Sequence, residues 1–197
     1  MIYYAVVAAD IFEDMRHAML VNAKNPDRAI IRLNEIWREV LDGVEGGKKA
    51  FFEAIEKAAF DLQEIEQKAP LHTLPHVLIV GEIYVRKDGI SRRWLPERMA
   101  QHGIVSHVAP LHEWIHYVDW LVVNKEHMFG ASTMSRMKTR LKNSIMSRGE
   151  RSIKATMEGS GWYIKRLINI DHVIDASKQY ISPKLPGEAV VTTGGPL

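Results

Sequence analysis

The sequence predicts an α/β fold: a three-layer, open and mainly parallel sheet of the Rossmann-like or flavodoxin-like kind, with added N-terminal and C-terminal helices. Three short apolar segments lead to this prediction. Residues 77–80 and 104–108 are each followed by helical signals, and strand–helix–strand–helix order at this spacing is typical of a parallel sheet. Residues 2–9, which are almost wholly apolar and rich in β-formers, are predicted to be another buried strand.

Helical signals follow the first predicted strand, beginning at Asp10. The next helix begins at Asn25, Pro26 and Asp27, because a capping side chain, a proline and an acid suit the first turn of a helix. A third helix is predicted at about 48–67, with an apolar stripe on one side and charged residues on the other.

Charge divides the chain near a proline-bracketed linker. Residues 1–70 carry 9 basic against 13 acidic side chains, whereas residues 71–197 carry 17 against 11. Pro70 and Pro75 enclose the linker at the same place. We therefore predict a strand plus helical part over 1–70, which packs on the sheet, and a βαβ domain over 71–197.

The second part is predicted to be mostly helical outside its two strands. One helix is predicted at roughly 92–102, with a start nearer Leu95 as the alternative because Pro96 suits a first turn, and another spans about 111–125. A basic helical insertion is predicted at 132–158 and a short helix at 170–180. A further strand is predicted at 188–193, ahead of a glycine pair.

Composition excludes several classes of function. The chain has no cysteine, so it offers no disulfide, no thiolate metal site and no thiolate-held iron–sulfur cluster. No apolar run is long enough for a transmembrane helix, and the N-terminus lacks the basic region of a signal peptide. We predict a cytoplasmic protein with no membrane partner.

The stretch LHEWIH, at 111–116, contains a match to H-E-x-x-H, the zinc site of many metalloproteases. On a helix, His112 and His116 would share a face and reach one Zn²⁺, while Glu113 would activate the bound water. A zinc metallohydrolase is therefore an alternative function. The extended motif fails, however, because Val122 stands where the third histidine belongs.

The simpler interpretation makes the zinc motif a chance match, in a chain with nine histidines. In this interpretation the helix packs through the apolar residues Leu111, Ile115, Val118 and Val122. His112 and His116 then lie on an ordinary helix surface, and no metal is favoured.

The central segment, from PHVLIVGEIYVR to APLHEWIHYVDWL, resembles part of the activator-related proteins of the 2-hydroxyglutaryl-CoA dehydratase and benzoyl-CoA reductase family, the CoA-substrate-specific enzyme activases. Residues 81–86 match that family's Gly-Glu-Ile-Tyr-Val-Arg motif, and 103–104 match the Gly-Ile that ends its next helix. Further agreement comes from Ala109, Pro110, Glu113, Trp114, the acids Asp10 and Asp14, and Gly187, Glu188 and Ala189.

The resemblance implies an internal domain fragment of a longer protein in the anaerobic metabolism of acyl-CoA thioesters. Such a domain would be non-catalytic or part-catalytic, supplying scaffold, docking surface or part of an acyl-CoA cleft in ATP-driven electron transfer. The isolated chain is not expected to be active. ATP and an iron–sulfur cluster are implied for the parent system, not for this chain. Its expected partners are the remainder of the parent protein or a dehydratase component.

Candidate ligand-binding residues lie at the predicted carboxyl end of the central strand, where open α/β sheets bind ligands. They are Gly81, Glu82, Tyr84 and Arg86, to which the resemblance adds Glu113, Gly187 and Glu188. The alternative is a tight turn with an internal Glu–Arg pair and a packed tyrosine.

Basic residues of the predicted insertion are candidates for phosphate binding. Arg136, Arg140 and Lys142 could bind a CoA phosphate, ADP or nucleic acid, so a nucleic-acid-binding module is a second alternative function. A solvated helix face is the simpler explanation of such a charge run. Without interleaved aromatic residues, nucleic acid is not the expected partner.

Overall fold

The structure, a computed structural model, describes residues 1–124, 132–183, 185 and 187–195. The helices are α1 (Ile2–Asn22), α2 (Pro26–Glu45), α3 (Lys48–Leu62), α4 (Ile83–Lys87), α5 (Leu95–Ala100), α6 (Leu111–Val123), α7 (Thr133–Glu158), α8 (Ile170–Ser177) and α9 (Ala189–Gly194). The strands are β1 (His76–Ile79) and β2 (Val105–Val108), and a 3₁₀ turn spans Leu71–Thr73.

The predicted three-layer parallel sheet is wrong for the described part of the chain. These residues are mostly helical, and their sheet has two strands, β1 and β2. The strands pair in parallel, with His76 opposite Val105 and Ile79 opposite Val108, so the predicted βαβ unit itself is confirmed. The prediction failed because it took two helical segments, 2–9 and 188–193, for strands.

Residues 2–9 form the start of α1, a helix of 21 residues. Aromatic and β-branched residues favour a strand over a short window, but no glycine or proline interrupts 2–22, and the buried positions recur at helical spacing. They include Tyr4, Val7, Ala8, Ile11, Met15, Ala18, Met19 and Asn22. A helix that is apolar on most sides is a buried helix. Accordingly, α1 packs against α2 as well as against β2, α5, α6 and α7, elements of both predicted parts.

The predicted strand at 188–193 is also wrong, because 189–194 form α9. Close packing against α8 overrides the β preference of its valines and threonines. Gly194 makes this packing possible, since a Cβ atom at that position would lie 1.9 Å from the carbonyl oxygen of Val173 in α8.

Several predicted elements are confirmed. At the start of α2, the Asn25 side chain accepts a hydrogen bond from the backbone N–H of Arg28 at 3.1 Å. Helix α5 begins at Leu95, and α7 matches the predicted basic insertion to within one residue at its start. Helices α3 and α8 are present but end earlier than predicted.

Two apolar cores hold these elements together. The larger is built from α1, α2 and α3 and also takes in Val105 of β2, Ile153 and Met157 of α7, and Trp162. The smaller joins Tyr117 of α6 to α8 and α9. Among the described helices, none has the length and apolar character needed to cross a membrane.

Candidate functional site

A cavity of about 290 Å³ opens at the carboxyl ends of β1 and β2, between α1, α6, α7, α8 and α9. We call it the strand-end cavity. Its polar lining comprises Asp10, Asp14, His112, Glu113, Lys154, Tyr163, Arg166, Asn169 and His172; its other lining residues include Ile11, Leu78, Val80, Ala109, Pro110, Leu167, Ile168, Val173, Gly194 and Gly195. Ligands of open parallel sheets bind at this edge. The cavity therefore lies at the strand end where the sequence predicts ligand-binding residues, although the sheet has only two strands.

Helix α6 is oriented opposite to the prediction. Its buried residues are the polar ones, His112, Glu113, His116 and Asp119, together with Tyr117. The predicted inward stripe, Leu111, Ile115, Val118 and Val122, is only half-buried. The interpretation of His112 and His116 as ordinary surface residues is therefore wrong. Polar partners on α1 and α7 explain the orientation, because they satisfy these side chains inside the protein.

Asp10 of α1 joins the start of α6 to the cavity wall. The residue before α6 is Pro110, which has no capping side chain, and Asp10 supplies the missing acceptor. Its Oδ2 accepts hydrogen bonds from the backbone N–H of His112 at 3.1 Å and from the His112 ring Nδ1 at 2.8 Å. Burial alone would raise the pKa of Asp10, but the bond from His112 and the charge of Lys87 outweigh it and lower that pKa to about 2.

Glu150 of α7 is the centre of a buried polar network. Its carboxylate accepts hydrogen bonds from Tyr3 Oη at 2.6 Å, His116 Nε2 at 2.9 Å and Lys154 Nζ at 2.6 Å. Burial would raise the pKa of Glu150, but the hydrogen bonds from His112 and His116 and the charge of Lys154 hold it well below its usual range. Glu150 is therefore ionised at neutral pH.

Lys154 links this network to His112. Its Nζ lies 3.1 Å from His112 Nε2 and donates to the carbonyl oxygen of Arg166 at 2.8 Å. Burial would lower the pKa of His112, but the hydrogen bonds with Asp10 and Glu150 more than offset it and raise that pKa. With both ring nitrogens engaged, His112 is a structural link rather than a free base.

A second set of ion pairs lies beside the strand-end cavity and involves the acids of α1. Arg166 binds Asp14 and lies 2.8 Å from His107 Nδ1, while Lys87 donates to Asp10 at 2.8 Å and to Glu13 at 2.6 Å. These pairs neutralise the carboxylates of α1 that face the sheet. They also hold the 163–169 segment and α4 against α1.

Glu113 is a polar lining residue that lies outside this network. Its side chain is buried, and it has no hydrogen-bond partner among the described residues. Burial raises its pKa, although the positive charge of Arg86 opposes that effect. Its Oε1 lies 3.6 Å from where a Cβ of Gly195 would stand, so it faces the end of α9. Glu113 is thus a protonatable carboxyl that is available to a ligand.

Replacing Glu113 with glutamine is expected to stabilise the free protein at pH 7 and not at pH 4. The pKa of Glu113 is higher in the folded protein than in the unfolded chain. The folded protein is therefore most stable below the unfolded-state pKa, and it loses stability as the pH rises from there through the folded-state pKa. Glutamine does not ionise and so avoids this loss. We expect the free energy of unfolding at pH 7 to rise by about 1 kcal/mol, a common size for a stabilising change. Urea unfolding at both pH values measures it, and an equal effect at the two would contradict the burial argument.

Two predicted site residues, Arg86 and Glu188, form a clamp behind the cavity. Buried Arg86 donates to Glu188 Oε2 at 3.0 Å, to the carbonyl oxygen of Pro110 at 3.5 Å and to the carbonyl oxygen of Gly81. Glu188 also accepts from the backbone N–H of Ile83 at 3.2 Å. The alternative of a Glu–Arg pair internal to the turn is therefore wrong, because Arg86 pairs with Glu188, and this pair ties α9 to the turn after β1.

The remaining candidates from the predicted strand end lie outside the cavity lining. Glu82 is exposed and caps α4, accepting from the backbone N–H of Val85 at 3.0 Å. Tyr84 is exposed, not packed. Gly81 and Gly187 have φ angles of 138° and 89°, which only glycine adopts without strain, and this explains the residue type at both turns.

The candidate phosphate-binding residues lie on α7, away from the strand-end cavity. Arg136 Nε donates to the carbonyl oxygen of Val123 at 2.7 Å, and Lys142 forms an ion pair with Asp119 at 2.6 Å. Arg140 is exposed. Two of the three candidates therefore bind α6, and the structure does not gather the three into one anion site.

The two histidines of the zinc motif are engaged with carboxylates of the chain. Their ring centroids are 6.3 Å apart, and His116 Nε2 lies 2.8 Å from Tyr3 Oη as well as close to Glu150. Across the described ranges, no three His, Asp or Glu side chains are placed to hold a metal ion.

Protein purified without a histidine tag is expected to contain far less zinc than one ion per chain after dialysis. The reason is that a zinc ion at His112 and His116 would have to break their bonds to Asp10 and Glu150. Metal analysis by plasma mass spectrometry measures this. Stoichiometric zinc that is lost in His112→Ala would contradict it.

Sequence patterns missed four residues of the site: Tyr3, Glu150, Lys154 and Arg166. One weak signal existed, because Glu150 is the first acid in α7 and Lys154 follows it by four residues. Such a pair is usually solvated, so its spacing alone does not predict that it is buried. Comparisons with family models, with curated proteins and with solved structures found no match for the chain.

Proposed function

We propose that the strand-end cavity binds the acyl end of a CoA thioester, and that the chain is an acyl-binding part of a 2-hydroxyacyl-CoA dehydratase or benzoyl-CoA reductase system. The observation that carries the proposal is Glu113, a buried carboxyl with no partner among the described residues, beside largely apolar walls. Burial raises the pKa of the Glu113 carboxyl, so it holds its proton to a higher pH than an exposed glutamate, and in the protonated form it can donate a hydrogen bond to a carbonyl oxygen. The thioester carbonyl is such an acceptor.

The size of the strand-end cavity supports a short acyl group. Its volume of about 290 Å³ is at the lower end of small-molecule sites, which leaves room for a short chain but not for the nucleotide end of CoA. The apolar side chains that would contact the acyl carbons are Ile11, Leu78, Val80, Leu167, Ile168 and Val173. The nucleotide would then lie outside the cavity.

The proposed role in this chain is binding, not electron transfer. The resemblance implies ATP and an iron–sulfur cluster in the parent system, but this chain has no cysteine and so lacks the thiolates that hold such clusters. The cluster is therefore assigned to the partner components, and the resemblance places ATP in the parent system as well. Those partners are the rest of an activator-related protein or a dehydratase component.

The test is a calorimetric comparison of butyryl-CoA, free CoA and butyrate on the purified chain. We expect butyryl-CoA to bind at least about tenfold more tightly than free CoA, a difference of about 1.4 kcal/mol. Glu113→Ala should remove most of that difference, since it deletes the proposed donor. Glu82→Ala is the matched control, because Glu82 is exposed on α4.

Three results would overturn the proposal. Equal binding of free CoA and butyryl-CoA would show that the acyl group is not recognised. Loss of binding in Glu82→Ala but not in Glu113→Ala would place the site outside the strand-end cavity. No binding of any of the three compounds would remove the acyl-CoA assignment.

A further inference from the structure

The N-terminal half of α7 presents apolar side chains to solvent. Met134, Met137, Leu141 and Ile145 are 57%, 62%, 65% and 51% exposed. Their spacing of three and four residues places them on one face of the helix, which we call the outer stripe. Over about 11 residues the outer stripe runs about 17 Å along the helix.

The outer stripe cannot belong to the core of the described chain. Further along α7, the residues that face the core are Glu150, Ile153, Lys154 and Met157. At 100° per residue these positions lie roughly opposite the outer stripe. In the N-terminal half the inward side carries the half-buried polar residues Thr139 and Asn143 instead. The apolar side of this half of the helix thus faces away from the described core, and an exposed apolar stripe of this kind is typical of a binding surface.

Positive charge flanks the outer stripe on both sides. From 132 to 149 the sequence has five basic residues and no acid. Arg136 and Lys142 turn toward α6, but Lys138, Arg140 and Arg148 are exposed and have no ion pair among the described residues. An apolar seam between exposed cations is complementary to an apolar seam between acids.

We propose that the outer stripe and its flanking cations form a docking surface for an acidic, amphipathic helix of a partner protein. The stripe is one residue wide and matches the seam between two packed helices. Two of its four residues are methionines, whose flexible side chains are over-used on surfaces that bind varied helices. The proposal does not depend on the function of the strand-end cavity.

Charge and shape favour this occupant over the others. A second copy docked through the same face would bring Lys138, Arg140 and Arg148 against the same three cations. A membrane-surface helix has a broad apolar face, commonly with aromatic residues, and the outer stripe has none. A nucleic acid would contact the cations but leave the apolar seam exposed to water.

The experiment compares two fluorescent synthetic helical peptides that share a leucine seam and differ in their flanks, one with glutamates and one with lysines. Fluorescence anisotropy is recorded with the whole chain at low and high salt. We expect the acidic peptide to bind at least about tenfold more tightly than the basic one, and more weakly at high salt. The double variant Met137→Ser/Leu141→Ser should bind it about tenfold more weakly.

Two further variants distinguish the contribution of the apolar seam from that of the charges and from nonspecific binding to exposed apolar residues. Lys138→Glu/Arg140→Glu should reverse the preference between the two peptides. Ile31→Ser, which removes an apolar side chain of α2 that is 60% exposed, is the control and should bind like the parent. All substituted positions are exposed, so circular dichroism should show an unchanged fold.

Four outcomes would overturn the proposal. The first two are equal binding of the two peptides and no binding of the acidic peptide. The other two come from vesicle binding and from sedimentation. If phosphatidylserine vesicles bind the chain through Leu141 while the acidic peptide does not, the occupant is a membrane. If sedimentation shows self-association that Met137→Ser/Leu141→Ser abolishes, the occupant is a second copy.

Discussion

Replacing Lys154 with alanine is expected to lower the free energy of unfolding by about 3–5 kcal/mol, the usual cost of removing one partner from a buried ion pair. Lys154 is 2% exposed and Glu150 is 4% exposed, so the pair is largely shielded from water. The substitution leaves the Glu150 carboxylate without its cation and removes the donor to the carbonyl oxygen of Arg166. Urea denaturation at pH 7 measures the change.

The matched control for Lys154→Ala is Lys138→Ala, which removes an exposed lysine from the same helix. It should change the unfolding free energy by no more than about 0.5 kcal/mol. The double variant Lys154→Met/Glu150→Gln should recover part of the loss, because an amide without charge needs no counter-ion but still accepts from Tyr3 or His116. A loss below about 1 kcal/mol in Lys154→Ala would contradict the burial of the network, because that is the size of a solvated ion pair.

Local signals in the sequence predicted the elements whose causes are local. The Asn25 cap and the short apolar runs of β1 and β2 are each visible in neighbouring residues. The parallel pairing of the two strands, which sets His76 opposite Val105, follows from the helical connection between them. Helix α1 was missed for a different reason. Its first eight residues have β-forming side chains, and the helical period becomes visible only when the whole of 2–22 is considered.

The candidate site was predicted in part, with the wrong roles. Glu113, Arg86 and Glu188 were selected and do lie at or beside the strand-end cavity, yet two of them clamp the fold. The sequence pattern predicts an exposed polar face on α6, because the residues that bind this face are distant in sequence. Asp10, for example, is 102 residues from His112. Periodicity shows which residues share a helix face, but it does not show which other elements pack against that face. Whether a polar face is buried therefore depends on tertiary contacts that local patterns do not reveal.

Replacing Arg86 with alanine is expected to cost about 3 kcal/mol of unfolding free energy and to weaken ligand binding in the strand-end cavity. Arg86 is 2% exposed, and its loss leaves Glu188 without a cation and the carbonyl oxygens of Gly81 and Pro110 without a donor. Helix α9, which carries Gly194 and precedes Gly195 in the cavity wall, would then be held mainly by α8.

Arg98→Ala is the control for this change, because Arg98 is exposed on α5 and should cost about 0.5 kcal/mol or less. Arg86→Lys keeps the charge but not the forked geometry that contacts both the carboxylate and the carbonyls, so it should rescue only part of the loss. Hydrogen exchange locates the effect, since amides of α9 should exchange faster in Arg86→Ala while those of α2 are unchanged. Uniform acceleration in both helices would show that Arg86 stabilises the whole fold rather than this one attachment.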